Sequence, residues 1–218
     1  MKHTILFALG TATLLVACGP SEAELAAQKA QREADSLATL AAMERPITID
    51  LEASQVKWTG TMLGIKAHYG RVALSKADLT VKGPSVVGGS FVVDLANIMP
   101  ADTMYAPDDS KQGTRAMLVG HLQSADFFDV ANNPTASFTI TRVEGNTVYG
   151  NLTVRGVTHE EKVTDVVVNE ANGTVTATGK LTFDRQKYGV AWSSGSQDAV
   201  LNDDIVVEVT LSGTYANA

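Results

Sequence analysis

The chain has 218 residues, a net charge of −7 and a single cysteine. An acidic balance argues against nucleic acid and against anionic membrane surfaces as partners, since both require basic patches. One cysteine excludes an intrachain disulfide framework, and the apolar fraction of 44% is that of a globular protein rather than a disordered one.

The first segment reads as a secretory leader. Lys2 supplies a positive start, and Ile5 to Ala17 is mostly apolar, interrupted by Gly10, Thr11 and Thr13. This run is too short to span a bilayer, and no later stretch is long and apolar enough to do so. It ends in Leu15-Val16-Ala17-Cys18, which resembles a bacterial lipobox. The resemblance implies that residues 1–17 are removed and that Cys18 becomes an acylated N-terminus. The alternative is an ordinary cleaved leader with a free thiol beside it. Several acyl chains anchor stably where one binds marginally. The expectation is a lipid-anchored protein of the bacterial cell envelope with its domain in the periplasm. Gly19, standing where an Asp would signal inner-membrane retention, favours the outer membrane.

Residues 18–45 are expected to form a helical tether. Residues 22–44 are rich in Ala, Glu, Gln and Leu and lack Gly and Pro. Ser21 and Glu24 fit a capping box, and Arg45-Pro46 ends the run, because a residue before proline avoids the helical region. Ala23, Ala27, Ala30, Ala34, Leu37 and Ala41 recur at heptad-like spacing. An alanine seam buries little area, so a solvated spacer is favoured over a weak homodimeric coiled coil. A helix of this length would reach roughly 35 Å at ~1.5 Å per residue.

From Ile47 the apolar period changes to that of strands. Phe91, Val93 and Leu95 alternate with polar residues, as do Ala136, Phe138 and Ile140, and likewise Val148, Gly150, Leu152 and Val154. The same holds for Val175, Ala177, Gly179, Leu181 and Phe183, and for Ile205, Val207, Val209 and Leu211. One dry and one wet face indicate antiparallel pairing. Turn signals recur at Lys82-Gly83-Pro84, Glu144-Gly145-Asn146 and Asn172-Gly173. Roughly eight strands at this spacing imply an all-β domain, an up-and-down barrel or a sandwich. One segment departs from the pattern: Asn97 to Gly113 reads as a long loop, and Arg115 to Phe128 as a helix inserted at one end. Long loops in compact domains are often functional.

The inward faces mix small residues (Ala136, Gly150, Ala177, Gly179, Gly213) with large ones (Phe91, Phe138, Leu181, Phe183). An eight-stranded barrel either fills with side chains or holds one small ligand. Small mid-strand residues leave space, but they also mark bulges and tight corners. Pattern alone leaves both readings open. Few inward positions are charged, so a ligand would be long, apolar and poor in hydrogen bonds.

Four segments in order resemble the YceI-like family of polyisoprenoid-binding periplasmic proteins. They are His121-Leu122-Gln123-Ser124-Ala125-Asp126-Phe127-Phe128-Asp129 with Asn133-Pro134-Thr135-Ala136-Ser137-Phe138, then Gly150-Asn151-Leu152-Thr153-Val154-Arg155-Gly156-Val157-Thr158, then Phe183-Asp184-Arg185-Gln186-Lys187-Tyr188-Gly189-Val190, and the acidic turn Asn202-Asp203-Asp204-Ile205. The resemblance runs from about Ile47 to Leu211. It implies an eight-stranded antiparallel lipocalin-like β-barrel with one inserted helix over residues 46–218, holding an isoprenoid chain in its pore. Asn133 stands where the family often has Tyr, and His159-Glu160-Glu161 replaces its common Lys-Pro.

On this reading Trp58, Phe91, Val93, Phe138, Ile140, Leu152, Leu181, Phe183 and Val207 should line the pore, and Phe127 and Phe128 should pack where the helix meets the barrel. Each is otherwise plain core, and a one-residue register error would reverse every facing. His121 reads as a polar residue satisfied by hydrogen bonds near the helix, with a headgroup contact as the alternative. Asp184, Arg185 and Arg155 read as a structural ion-pair cluster, alternatively as contacts to a phosphate or quinone head. No His-x-x-x-His or Cys pair suggests a metal, no Gly-x-Ser-x-Gly suggests a nucleophile, and no cofactor motif is present. The expected function is therefore binding of an isoprenoid-type lipid rather than catalysis. A structural envelope lipoprotein with a filled barrel is the second reading, and an enzyme acting on a lipid the third.

Overall fold

A computed structural model describes residues 20–63, 66–193 and 200–216. The leader and Cys18 lie outside these residues. Chain contacts divide the protein into two units, one ending at Leu40 and one beginning at Ala41.

The first unit is the helix α1, Glu22–Ala42, none of whose residues is buried. Its N-terminus is a capping box. The Ser21 amide donates to Glu24 Oε2 at 2.7 Å and the Glu24 amide donates to Ser21 Oγ at 3.3 Å, which satisfies two of the amides a helix start leaves unpaired. Ala-rich sequence without Gly or Pro carries the helix onward.

The second unit is a closed barrel of eight antiparallel strands in sequential order. They are β1 Glu44–Leu63, β2 Lys66–Lys82, β3 Ser85–Pro100, β4 Thr135–Glu144, β5 Thr147–Val154, β6 Val157–Ala171, β7 Thr174–Asp184 and β8 Val200–Tyr215. Closure comes from β1 pairing with β8, from Ile47↔Tyr215 to Leu63↔Val200. Within that seam the register shifts between Asp50 and Gln55. The extra residues are stitched in place: Asp50 Oδ1 accepts the Glu52 and Ala53 amides, and Ser54 Oγ donates to the Asp50 carbonyl and accepts the Ser212 amide. Such bulges let a strand bend around a barrel.

The two ends of the barrel differ in kind. At one end β2–β3, β4–β5 and β6–β7 are joined by tight turns. Asn172 and Gly173 both have positive φ, 52° and 79°, the conformation a two-residue hairpin favours. At the other end lie the β1–β2 hairpin, the Arg155-Gly156 turn, a short 3-10 helix at Arg185–Tyr188 and the long β3–β4 connection carrying helix α2, Arg115–Gln123. The strands therefore act as a rigid wall, and chemistry concentrates at this second end.

Two expectations about that connection are corrected. Strand β3 continues through Asn97 to Pro100, so the loop begins after it. Helix α2 starts as read, with Thr114 Oγ1 accepting the Met117 amide at 3.2 Å, but it stops at Gln123 rather than running to Phe128. Ser124 ends it: both its amide and its hydroxyl donate to the His121 carbonyl, a local competition with helical bonding typical of serine. Beyond it the chain turns back, with the Phe128, Asp129 and Val130 amides donating to the carbonyls of Leu122, Ser124 and Gln123, and Phe127 is buried in the core.

Candidate functional site

The inward faces enclose a cavity of about 800 Å³, within the range of small-molecule pockets. All eleven residues expected to face a pore line it: Trp58, Phe91, Val93, Phe127, Phe128, Phe138, Ile140, Leu152, Leu181, Phe183 and Val207. Strand alternation turns them to one face; Phe91 sits opposite Phe138, and Phe138 opposite Leu152, across adjacent strands. Towards the hairpin end the wall is Leu79, Val86, Val148 and Leu211; towards the α2 end it is Met62, Leu118, Leu122, Trp192 and Leu201. No described lining residue is Lys, Arg, Asp or Glu. The polar exceptions include His68, Gln112, His121, Ser137 and Thr178.

The small inward residues do not all make space. A Cβ on Gly150 would meet the Phe138 ring at 2.5 Å, and one on Gly213 the Thr48 carbonyl at 2.4 Å. Glycine at these points admits a cross-strand ring and a close strand. Ala136 and Ala177, in contrast, line the cavity, and Gly179 does so where a Cβ would meet Val163 Cγ1 at 2.6 Å.

The four polar candidates separate into distinct roles. Arg185, 3% exposed, donates to the carbonyls of Val190, Trp192, Leu201 and Asn202. Its acidic partner is Asp203 at 3.0 Å, not the expected Asp184, whose carboxylate instead caps the 3-10 helix through the Gln186 amide at 2.9 Å. Arg155 reaches from the β5–β6 turn to the carbonyls of Ala125 and Phe127. Both guanidiniums are thus fasteners for loop backbone. They do not form one ion-pair cluster because each is closer to orphan carbonyls than to the other's acids.

His121 departs furthest from expectation. Its Nε2 is buried and has no hydrogen-bond partner. The ring is gripped by aromatic edges instead, Trp192 at 4.7 Å and Phe127 at 5.4 Å between centroids. Burial holds its pKa below the ordinary imidazole value, against a smaller opposite pull from Asp126, so the ring is neutral at pH 7.

A polar cluster that the sequence reading missed stands at the same end. His68, on β2 and lining the cavity, pairs through Nδ1 with Asp102 Oδ2 at 3.1 Å. Tyr105 donates to the same oxygen, and the Tyr69 and Met104 amides approach at 3.4 and 3.3 Å. Asp102 is 1% exposed. Burial pushes its carboxyl up, but the hydrogen bonds from Tyr105, His68 and Met104 outweigh this and hold it below its ordinary value of 3.8. Asp102 and Tyr105 lie in the loop and His68 on a strand, with no telling spacing. The only sequence signal was the length of the loop itself. At the substituted motif, His159 Nε2 meets the Lys187 carbonyl at 3.1 Å and Glu161 accepts from Tyr188, so these departures hold the 3-10 helix against β6.

Residues 47–213 match the model of the YceI-like domain family. A UPF0312 protein of Shewanella baltica is 28% identical over 187 residues, 80% of this chain and 92% of that protein. A UPF0312 protein of Staphylococcus epidermidis is 38% identical over 77 residues, and this match spans only 44% of its length. Among solved structures, BcnA of Burkholderia cenocepacia aligns with a TM-score of 0.59 at 21% identity, covering 77% of this chain and all of BcnA. A polyisoprenoid binding domain from Saccharophagus degradans, implicated in plant cell wall breakdown, aligns with a TM-score of 0.51 at 12% identity, covering 80% and 100%.

Proposed function

The chain belongs to the YceI-like domain family, and from that premise we propose that it binds a polyisoprenoid or similar long-chain amphiphile inside the barrel, while Cys18 holds it to a membrane of the cell envelope. The observation that carries the binding reading is the cavity: about 800 Å³ with a wall free of described charged side chains. Each methylene moved from water into such a space is worth ~0.8 kcal/mol, so a long chain gains affinity without any polar contact. A filled barrel, the structural alternative, would lack this space. The fold shared with a polyisoprenoid binding domain points the same way.

The residues act by shape. Phe91, Phe138 and Phe183 supply broad apolar faces, and Trp58 is fixed by a hydrogen bond from its Nε1 to the Arg71 carbonyl at 3.3 Å. The site holds and releases a chain; we assign it no reaction. Organic extraction of the protein purified from its native envelope, followed by mass spectrometry, should recover a stoichiometric hydrophobic molecule. An empty protein that also fails to take up added polyprenols would refute the reading. Anchoring rests on Leu15-Val16-Ala17-Cys18. The expected result of Cys18→Ser is loss of acyl label and transfer of the protein from the membrane to the soluble fraction.

A further inference from the structure

We propose that the head of the bound amphiphile lies at the α2 end of the barrel and is an uncharged oxygen function, a hydroxyl or a carbonyl, hydrogen-bonded to Nε2 of His121. The inference rests on the binding reading above and specifies the chemistry of its ligand. A buried nitrogen without a partner is costly, on the order of 1–3 kcal/mol, and uncommon enough to require an explanation. His121 lines the cavity, and its Nε2 is the one described buried side-chain N or O atom left unpaired. The atom that would complete it is one that arrives with the ligand.

A second imidazole faces the same end. Gly60 and Met62, which line the cavity, pair with His68 and Leu201 respectively, and Leu201, like Trp192, packs against the cluster of Leu122 and Phe127. His68 commits Nδ1 to the Asp102 carboxylate. An ionised carboxylate only accepts, so Nδ1 carries the proton and Nε2 is the nitrogen left for a ligand. Two imidazole nitrogens at one end of an otherwise apolar tube define where the head belongs.

The charge of the head follows from the cations. Phosphate recognition uses Arg or Lys, and none lines the cavity among the described residues. Three arginines at this end are committed elsewhere. Arg155 and Arg185 bind backbone carbonyls, and Arg115 donates to the Asp102 carbonyl while lying over the Tyr105 ring. An anionic head would be desolvated with no counter-charge. A hydroxyl serves either tautomer of His121, whereas a carbonyl serves only the Nε2–H form.

The test uses the purified full-length protein and four probes sharing one tail: farnesol, farnesal, farnesyl diphosphate and farnesene. Tryptophan fluorescence reports binding, since Trp58 and Trp192 both line the cavity. His121→Phe keeps an aromatic ring and removes the nitrogen. It should weaken farnesol, and farnesal if Nε2 carries the proton, by about three- to tenfold and leave farnesene unchanged. Farnesyl diphosphate should bind the native protein at least about tenfold more weakly than farnesol. Equal weakening of all probes, or diphosphate binding as tight as farnesol, overturns the inference while leaving the binding reading intact. Binding of none of the four overturns both. If the variant does not fold, the native protein labelled with 15N-histidine decides: the His121 Nε2 resonance should shift with farnesol and not with farnesene, and an unmoved resonance refutes the head contact.

Discussion

At the residue scale the polar side chains divide into those that hold loops and those that line the cavity. Arg185 belongs to the first group. Its planar fork serves four carbonyls and one carboxylate, a geometry a single ammonium cannot reproduce. Arg185→Lys should therefore destabilise the protein by on the order of 3 kcal/mol, read as a lowered midpoint in urea unfolding. Asp102 gives a pH signature. Its folded pKa lies below the ordinary 3.8, so its stabilisation is complete above about pH 4 and is lost as pH falls through the folded value. Asp102→Asn removes that contribution. The variant should be less stable than the native protein at pH 7, and the gap should shrink below pH 4; a constant gap across that range would contradict the assignment. Hydrogen exchange of residues 101–114 should rise in the same variant, because Asp102 ties this loop to Tyr69 and His68.

At the element scale the strands owe their register to alternation, and their close approaches to glycine. Gly70 stands where a Cβ would meet the Met99 carbonyl at 2.2 Å, with β2 pressed against the end of β3. Gly88 has no atom within 4 Å of a built Cβ. Gly70→Ala should cost on the order of 2–3 kcal/mol by overpacking, and Gly88→Ala should change stability by less than about 1 kcal/mol, both measured by thermal unfolding. Helix α2 illustrates the limit of periodicity. Met117, Leu118, Leu122, Ala125 and Phe128 fit a helical period in the sequence, yet Ser124 turns the chain after Gln123. Beyond it Ala125 is exposed, Phe128 half-buried and Phe127 buried, in turns fastened to Arg155. Burial and helicity gave the same pattern there, and a serine decided between them.

At the scale of the whole molecule, the proposed function depends on keeping the barrel partly empty. Three clusters of buried residues stabilise the wall, at the hairpin end, the middle and the α2 end, and the cavity runs past all three. Ala177 lines it from β7. Ala177→Leu should place about three extra carbons in that space, leave the ligand-free protein at least as stable, and weaken chain uptake by about 10- to 100-fold. Calorimetry of the ligand-free variant and titration with a polyprenol check the two halves separately. A variant that binds as the native protein does would show that the chain lies elsewhere.

The strands, their inward faces and the apolar lining were legible because alternation is a local property: each residue's facing follows from its neighbours in sequence. The capping box at Ser21 and the turns at Asn172-Gly173 were legible for the same reason. The polar end of the cavity was not. His68 on a strand meets Asp102 and Tyr105 from the loop, and His121 on a helix lines the same cavity, only because the β3–β4 connection folds over one end. The sequence alone determined strands with apolar inward faces; tertiary structure decided that they enclose a space and which nitrogens line it, since that depends on contacts between residues far apart along the chain.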